Sequence, residues 1–175
     1  MLAWFLYYCY GNGIRHARSR NGVKKPGENN NMYAEAKARA LEPYASAVEG
    51  SVDAAVCVVF AEGLSAQARA ALEAACAGVG FADPSFADAA DFNEKDLFAA
   101  IEALDPLMLV MADESATQRM AAAYREPVAP NSHGFVFGRP FAAFLSFQRD
   151  LADSRMKQRD WALLKAMRKS ADWLK

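Results

Sequence analysis

VDAAVCVVF, residues 52–60, is the stretch on which the reading of this chain turns. Its β-branched valines suit a strand better than a helix. Apolar residues here do not alternate with polar ones, which is the pattern of a strand covered on both faces. A second run of the same kind, PLMLVMA at 106–112, follows the helix-breaking pair Asp105-Pro106. Two buried strands lying parallel need a long crossover between them, and a helix usually supplies it.

The intervening sequence meets that requirement. Ser65 is a candidate N-cap, and Ala68, Ala71, Leu72, Ala75, Cys76 and Val79 follow at helical spacing before Gly78 and Gly80 stop the helix. A weaker strand is expected in SFADAADF, residues 85–92. Asn93 then caps DLFAAIEAL, where Leu97, Ile101 and Leu104 form one stripe. Beyond the second buried run, Ser115 opens a helix through Met120 and Tyr124. REPVAPNSHG (125–134) has loop composition, and FVFGRPFAAFL (135–145) is a strand pair or one strand broken at Gly138-Arg139-Pro140. A final helix starts near Ser154, with Trp161, Leu164, Ala171 and Leu174 along one side. Upstream, Tyr33–Val48 is helical in composition and divided by Pro43. The alternation predicts an α/β fold: a three-layer sandwich with a mostly parallel central sheet of about four strands and a C-terminal helix.

One domain accounts for residues 32–175, and a leader precedes it. The apolar run Leu2–Tyr10 is shorter than the roughly 20 residues a membrane helix needs. Its cations, Arg15, Arg18 and Arg20, follow the apolar segment, the reverse of a secretory signal. Alanine becomes dense only after Met32, and GENNN before it is encodable as a purine-rich ribosome-binding site with an A-rich spacer. The expected native start is therefore Met32, with 1–31 as translated upstream sequence; the alternatives are a strand or an interfacial anchor.

The net charge of −1 conceals a segregation. Residues 1–31 carry five basic groups against one acidic, net +4; residues 32–154 carry 8 against 18, net −10; residues 155–175 carry 7 against 2, net +5. An acidic body repels polyanions, so nucleic acid or an acidic partner is expected at the basic C-terminal helix, on Arg155, Lys157, Arg159, Lys165, Arg168 and Lys169. Docking of its apolar side on the sheet, with the cations complementing the helix dipole, is the competing account. Cys9, Cys57 and Cys76 lack CxxC or zinc-ligand spacing, so no metal or other cofactor is expected, and the cytoplasm is the expected compartment.

The segment DLFAAIEALDPLMLVMADESATQRMAAAYREPVA, continuing to FGRPFAAFLSF, resembles the second half of small bacterial uracil-DNA glycosylases in element order and hydrophobic rhythm. VVFAEGLSAQARAALEAACAGVGFADPSFADAADF resembles the matching first half, so the likeness spans Val52 to Phe147. It implies a glycosylase-like fold without the catalytic motifs. Where that family carries a Gly-rich, acid-bearing loop after its first strand, this chain has Phe60-Ala61-Glu62-Gly63-Leu64. Where the family carries a His-Pro-Ser type motif, this chain has Leu145-Ser146-Phe147. The cysteines do not match the iron–sulfur branch.

In an open α/β sheet the carboxyl ends of the strands face the ligand crevice. The candidate site residues are therefore Glu62, Asp113, Ser146 and the loop residue His133. Asp113 and Glu114 precede Ser115 at a helix start, where capping alone explains them. His133 becomes a general base only with Asp113 or Glu62 beside it. Arg139 is a candidate anion ligand or a bend-pairing residue. The expected function is non-catalytic binding; the alternative is a divergent hydrolase or glycosidase-type enzyme acting on nucleotides or nucleic acid.

Overall fold

A computed structural model describes residues 32–171. The expected leader at 1–31 and the residues Trp173 and Leu174 lie outside the described residues. The elements run α1 (Met32–Leu41), a 3-10 turn (Glu42–Tyr44), β1 (Val48–Glu49), β2 (Val56–Phe60), α2 (Ala66–Gly78), β3 (Ser85–Asp88), α3 (Glu94–Leu104), β4 (Met108–Met111), α4 (Glu114–Tyr124), β5 (Ser132–Val136), β6 (Arg139–Ala143), α5 (Phe147–Asp150) and α6 (Ser154–Ser170).

All six strands form one sheet in the order β1-β3-β2-β4-β6-β5. Strands β3, β2, β4 and β6 are parallel, and the two expected buried runs are neighbours with Cys57 opposite Leu109. The expectation of about four strands is corrected to six, because β1 and β5 add antiparallel edges. Strand β1 has two residues. Strand β5 takes in Ser132, His133 and Gly134, which composition assigns to a loop; its burial alternates, so it lacks the continuous apolar signature of an interior strand.

The strands bury side chains on both faces. Cys57, Val59, Leu109, Met111, Phe141 and Ala143 pack with Leu41 of α1 and with Leu97, Ile101, Ala116 and Met120 of α3 and α4. Val56, Val58, Phe60, Met108, Val110 and Ala142 point the other way, onto Leu72 and Cys76 of α2 and Leu164 and Met167 of α6. The alternation follows from the two-residue period of a strand.

Local signals fix the helix ends. Ser65 Oγ accepts from Ala68 N at 3.2 Å, and Asn93 Oδ1 accepts from Asp96 N at 2.9 Å. Asp113, rather than Ser115, is the N-cap of α4. Helix α3 ends at Asp105 in the left-handed region, φ 45°, directly before Pro106. Among the described residues no helix is long and apolar enough to cross a membrane.

Candidate functional site

Strand β2 has β3 on one side and β4 on the other, so the winding reverses between β2 and β4. The crevice of a doubly wound sheet opens outside the carboxyl ends of such a pair. Three segments meet there: Ala61–Ser65 after β2, Asp113–Ser115 after β4, and Leu145–Gln148 after β6.

Asp113 is the centre of this junction and is 4% exposed. Its Oδ1 accepts from Ala116 N at 2.7 Å, capping α4. Its Oδ2 accepts from Ala61 N at 2.9 Å and Glu62 N at 3.3 Å, holding the β2 loop. The Asp113 carbonyl accepts from the Thr117 hydroxyl at 2.9 Å. Both carboxylate oxygens are therefore engaged by backbone donors, beside a helix N-terminus that favours negative charge.

The other chain ends are tied in the same way. Asp113 and Ser146 form an isolated antiparallel bridge, Glu114 N donates to Leu145 O at 3.0 Å, and Phe147 N donates to Ala112 O at 2.9 Å. Ser65 N donates to Gln148 Oε1 at 2.7 Å, linking the β2 loop to α5. On the rim, the Ser115 hydroxyl donates to the exposed Glu62 carboxylate at 2.8 Å.

Three of the four expected residues, Glu62, Asp113 and Ser146, thus gather at one place. His133 does not join them. It is exposed on β5, opposite Ala142 of β6, so β6 stands between it and β4. At the usual strand spacing that separation is about 10 Å, beyond direct contact with a β4 carboxylate. Thr117, Ser115 and Gln148 belong to the junction and escaped sequence reasoning. Thr117 reaches back only four residues, to the Asp113 carbonyl, but Ser115 and Gln148 meet partners 53 and 83 residues away, and no local pattern encodes such contacts.

Two shallow depressions, of about 600 and 540 Å³, lie elsewhere: one beside Asn93 and Arg119, the other over Arg69, Pro84 and Phe86. Among the described residues no group of three or more His, Cys, Asp or Glu side chains is arranged to hold a metal ion.

Arg139 is a pairing residue. It forms a forked contact with the Glu102 carboxylate and adds Asp105 at 3.1 Å and Pro106 O at 3.0 Å. Burial opposes its charge, but these hydrogen bonds prevail and its pKa stands above the ordinary arginine value. Burial, together with the hydrogen bond to Glu102, pushes the Tyr124 hydroxyl well up.

The six cations expected to face a partner divide into two sets. Arg159 is bound to Asp150 and Asp160, tying α5 to α6. Arg168 lies over the Phe81 ring at 5.1 Å. Arg155, Lys165 and Lys169 are exposed and, with Gln158 and Ala162, line the outer arc of α6, while Lys157 is partly covered. No acidic side chain interrupts that arc. Trp161 is not presented outward as a stacking platform: its ring packs against Gly78, where an added Cβ would meet it at 3.0 Å.

Comparison with known proteins finds no family model, no curated protein and no solved structure that matches the chain.

Proposed function

We propose that the chain is a non-catalytic binding protein on a uracil-DNA glycosylase-like, three-layer α/β fold, acting in the cytoplasm through its surface. The observation that carries this reading is the state of Asp113, whose two oxygens are both held by backbone N–H groups. A general base needs a lone pair directed at substrate, and this carboxylate instead braces a helix and a loop. The separation of His133 from Glu62 and Asp113 points the same way. Cys57 and Cys76, buried on opposite faces of the sheet, fit a reducing compartment.

The partner surface is the outer arc of α6, and the partner class is nucleic acid, held by its phosphates. The helix dipole accounts for Lys169, in the last turn of α6, but not for Arg155 in the first. The first turn of α6 carries Arg155 and takes its negative charge from the Asp153 cap alone, whereas α3 and α4 place Glu94, Asp96 and Glu114 within the turn. The arc offers no apolar anchor of the kind protein interfaces use. With Trp161 occupied, contact is limited to the backbone and is insensitive to base sequence.

The test is binding of a labelled duplex containing uracil, measured as salt is raised. Three exposed cations predict a log–log salt slope of about −3. The triple variant R155Q/K165Q/K169Q should lose most of that slope while keeping its melting temperature. Asp113→Ala should destabilise the fold by about 2–4 kcal/mol, from a lost cap and orphaned N–H groups, and leave duplex binding intact below the melting transition. Absence of salt-sensitive retention removes the nucleic-acid partner, and preferential retention of an acidic peptide replaces it. The Glu62–Ser115 pair on the rim favours the enzyme alternative. Release of a base or scission of the same duplex, abolished by Glu62→Gln, would establish that alternative.

A further inference from the structure

The two edges of the sheet are guarded unequally. Natural edge strands avoid pairing with other chains by being short, by carrying lysine or proline, or by bulging. Strand β1 is two residues long. Strand β5, Ser132–Val136, has five residues with no lysine, arginine, carboxylate or proline, and pairs residue for residue with β6 without a bulge.

Its backbone geometry says which groups are open. The two-residue turn at Phe137-Gly138 makes Val136 and Arg139 the closing pair of the hairpin. Hydrogen-bonded and non-bonded pairs then alternate, so Ser132, Gly134 and Val136 bond inward to β6. His133 and Phe135 direct their N–H and C=O groups away from the sheet. Among the described residues, no turn, loop or side-chain hydrogen bond occupies those four groups. His133 and Phe135 also share one face, and Phe135 is 55% exposed.

We infer that β5 is a self-pairing edge through which two copies of this chain form a two-fold dimer with one continuous sheet. The occupant follows from the spacing of the open groups. With the two-fold axis at Gly134, His133 of one copy lies opposite Phe135 of the other, and each such pair exchanges two N–H···O bonds. All four open groups of each copy are satisfied at once. Gly134 meets its own symmetry mate at the axis, where the backbones approach most closely and a side chain is absent. Each exposed Phe135 ring comes to rest beside a His133 imidazole, an aromatic cross-strand pair. The strip SHGFV holds no lysine, arginine, aspartate or glutamate, so the paired strands themselves set none of those charges against each other. An isologous contact of this kind closes at two subunits. Pairing through β5 does not depend on the proposed function.

The experiment is sedimentation of the full chain across the micromolar range. A concentration-dependent species at twice the 19.1 kDa chain mass is expected. Phe135→Lys places two ammonium groups at the seam, and His133→Pro removes an outward donor that β6 does not use. Both variants should be monomeric with near-native melting temperatures. Amide exchange supplies a readout without substitution: protection of the 132–136 peptide should rise with protein concentration. A chain that stays monomeric throughout, a dimer that persists in both variants, or a dimer that leaves the 132–136 amides unprotected would each overturn the inference.

Discussion

Asp160 has a chemistry that its position in the sequence does not suggest. It lies on the docking side of α6 among Leu164 and Met167, and is 2% exposed. Burial raises its pKa from 3.8 to about 6, with Arg159 opposing the rise and Asp150 adding to it. The folded state therefore holds this proton more tightly than the unfolded chain does. Stability contributed by the group falls as pH climbs from about 4 to about 6, by about 3 kcal/mol across the window. Measured against Asp160→Asn, the native protein should gain stability as pH drops from 7 to 5, read as a growing difference in urea midpoints. A constant difference would mean that Asp160 titrates as an exposed carboxylate does. The helical stripe shows that this position faces the sheet; it holds no trace of the guanidinium of Arg159, turned back between Asp150 and Asp160, that keeps the charge tolerable.

Elements were legible where burial on both faces or a cap left a local mark. VCVVF and MLVM read as interior strands because both of their faces meet helices, and Ser65 and Asn93 read as caps because the bonded N–H lies three residues on. Strand β5 and the four-residue α5 left no such mark, since half of β5 faces solvent and α5 is shorter than two turns. The β5–β6 turn carries the clearest backbone constraint. Phe137 and Gly138 both have positive φ, 50° and 80°. Phe137 tolerates this because its N–H donates to Glu126 at 3.0 Å and its ring packs edge-on to Phe98 and tilted against Tyr124. A Cβ added at Gly138 would meet nothing within 4 Å beyond its chain neighbours, so a substitution there tests conformation alone. Gly138→Ala should cost about 1 kcal/mol, a fall of about 2–4 °C in melting temperature, with no change in the core. No fall would show that the turn relaxes into another conformation at little cost.

At the scale of the whole molecule, the sheet is the one structure shared by every element of the crevice and both cores. The junction around Asp113 was half legible: its cap to Ala116 is local, but its hold on Ala61 spans 52 residues and exists only because β2 and β4 are neighbours. The same sharing governs how the protein opens. Cys57 lies in the core beneath α1, α3 and α4, Cys76 in the core beneath α2 and α6, and burial pushes both thiols up to about 12. At neutral pH neither reacts while folded, so alkylation reports opening. Strand β2 feeds alternate side chains into both cores, so loss of one core removes the wall of the other. The two cysteines should therefore be labelled with the same opening free energy and the same denaturant dependence, read peptide by peptide with isotope-coded alkylation. Faster labelling of Cys76 would mean that α2 and α6 peel from the sheet while the opposite core stands, and the molecule would then behave as two cooperative units divided by a common sheet.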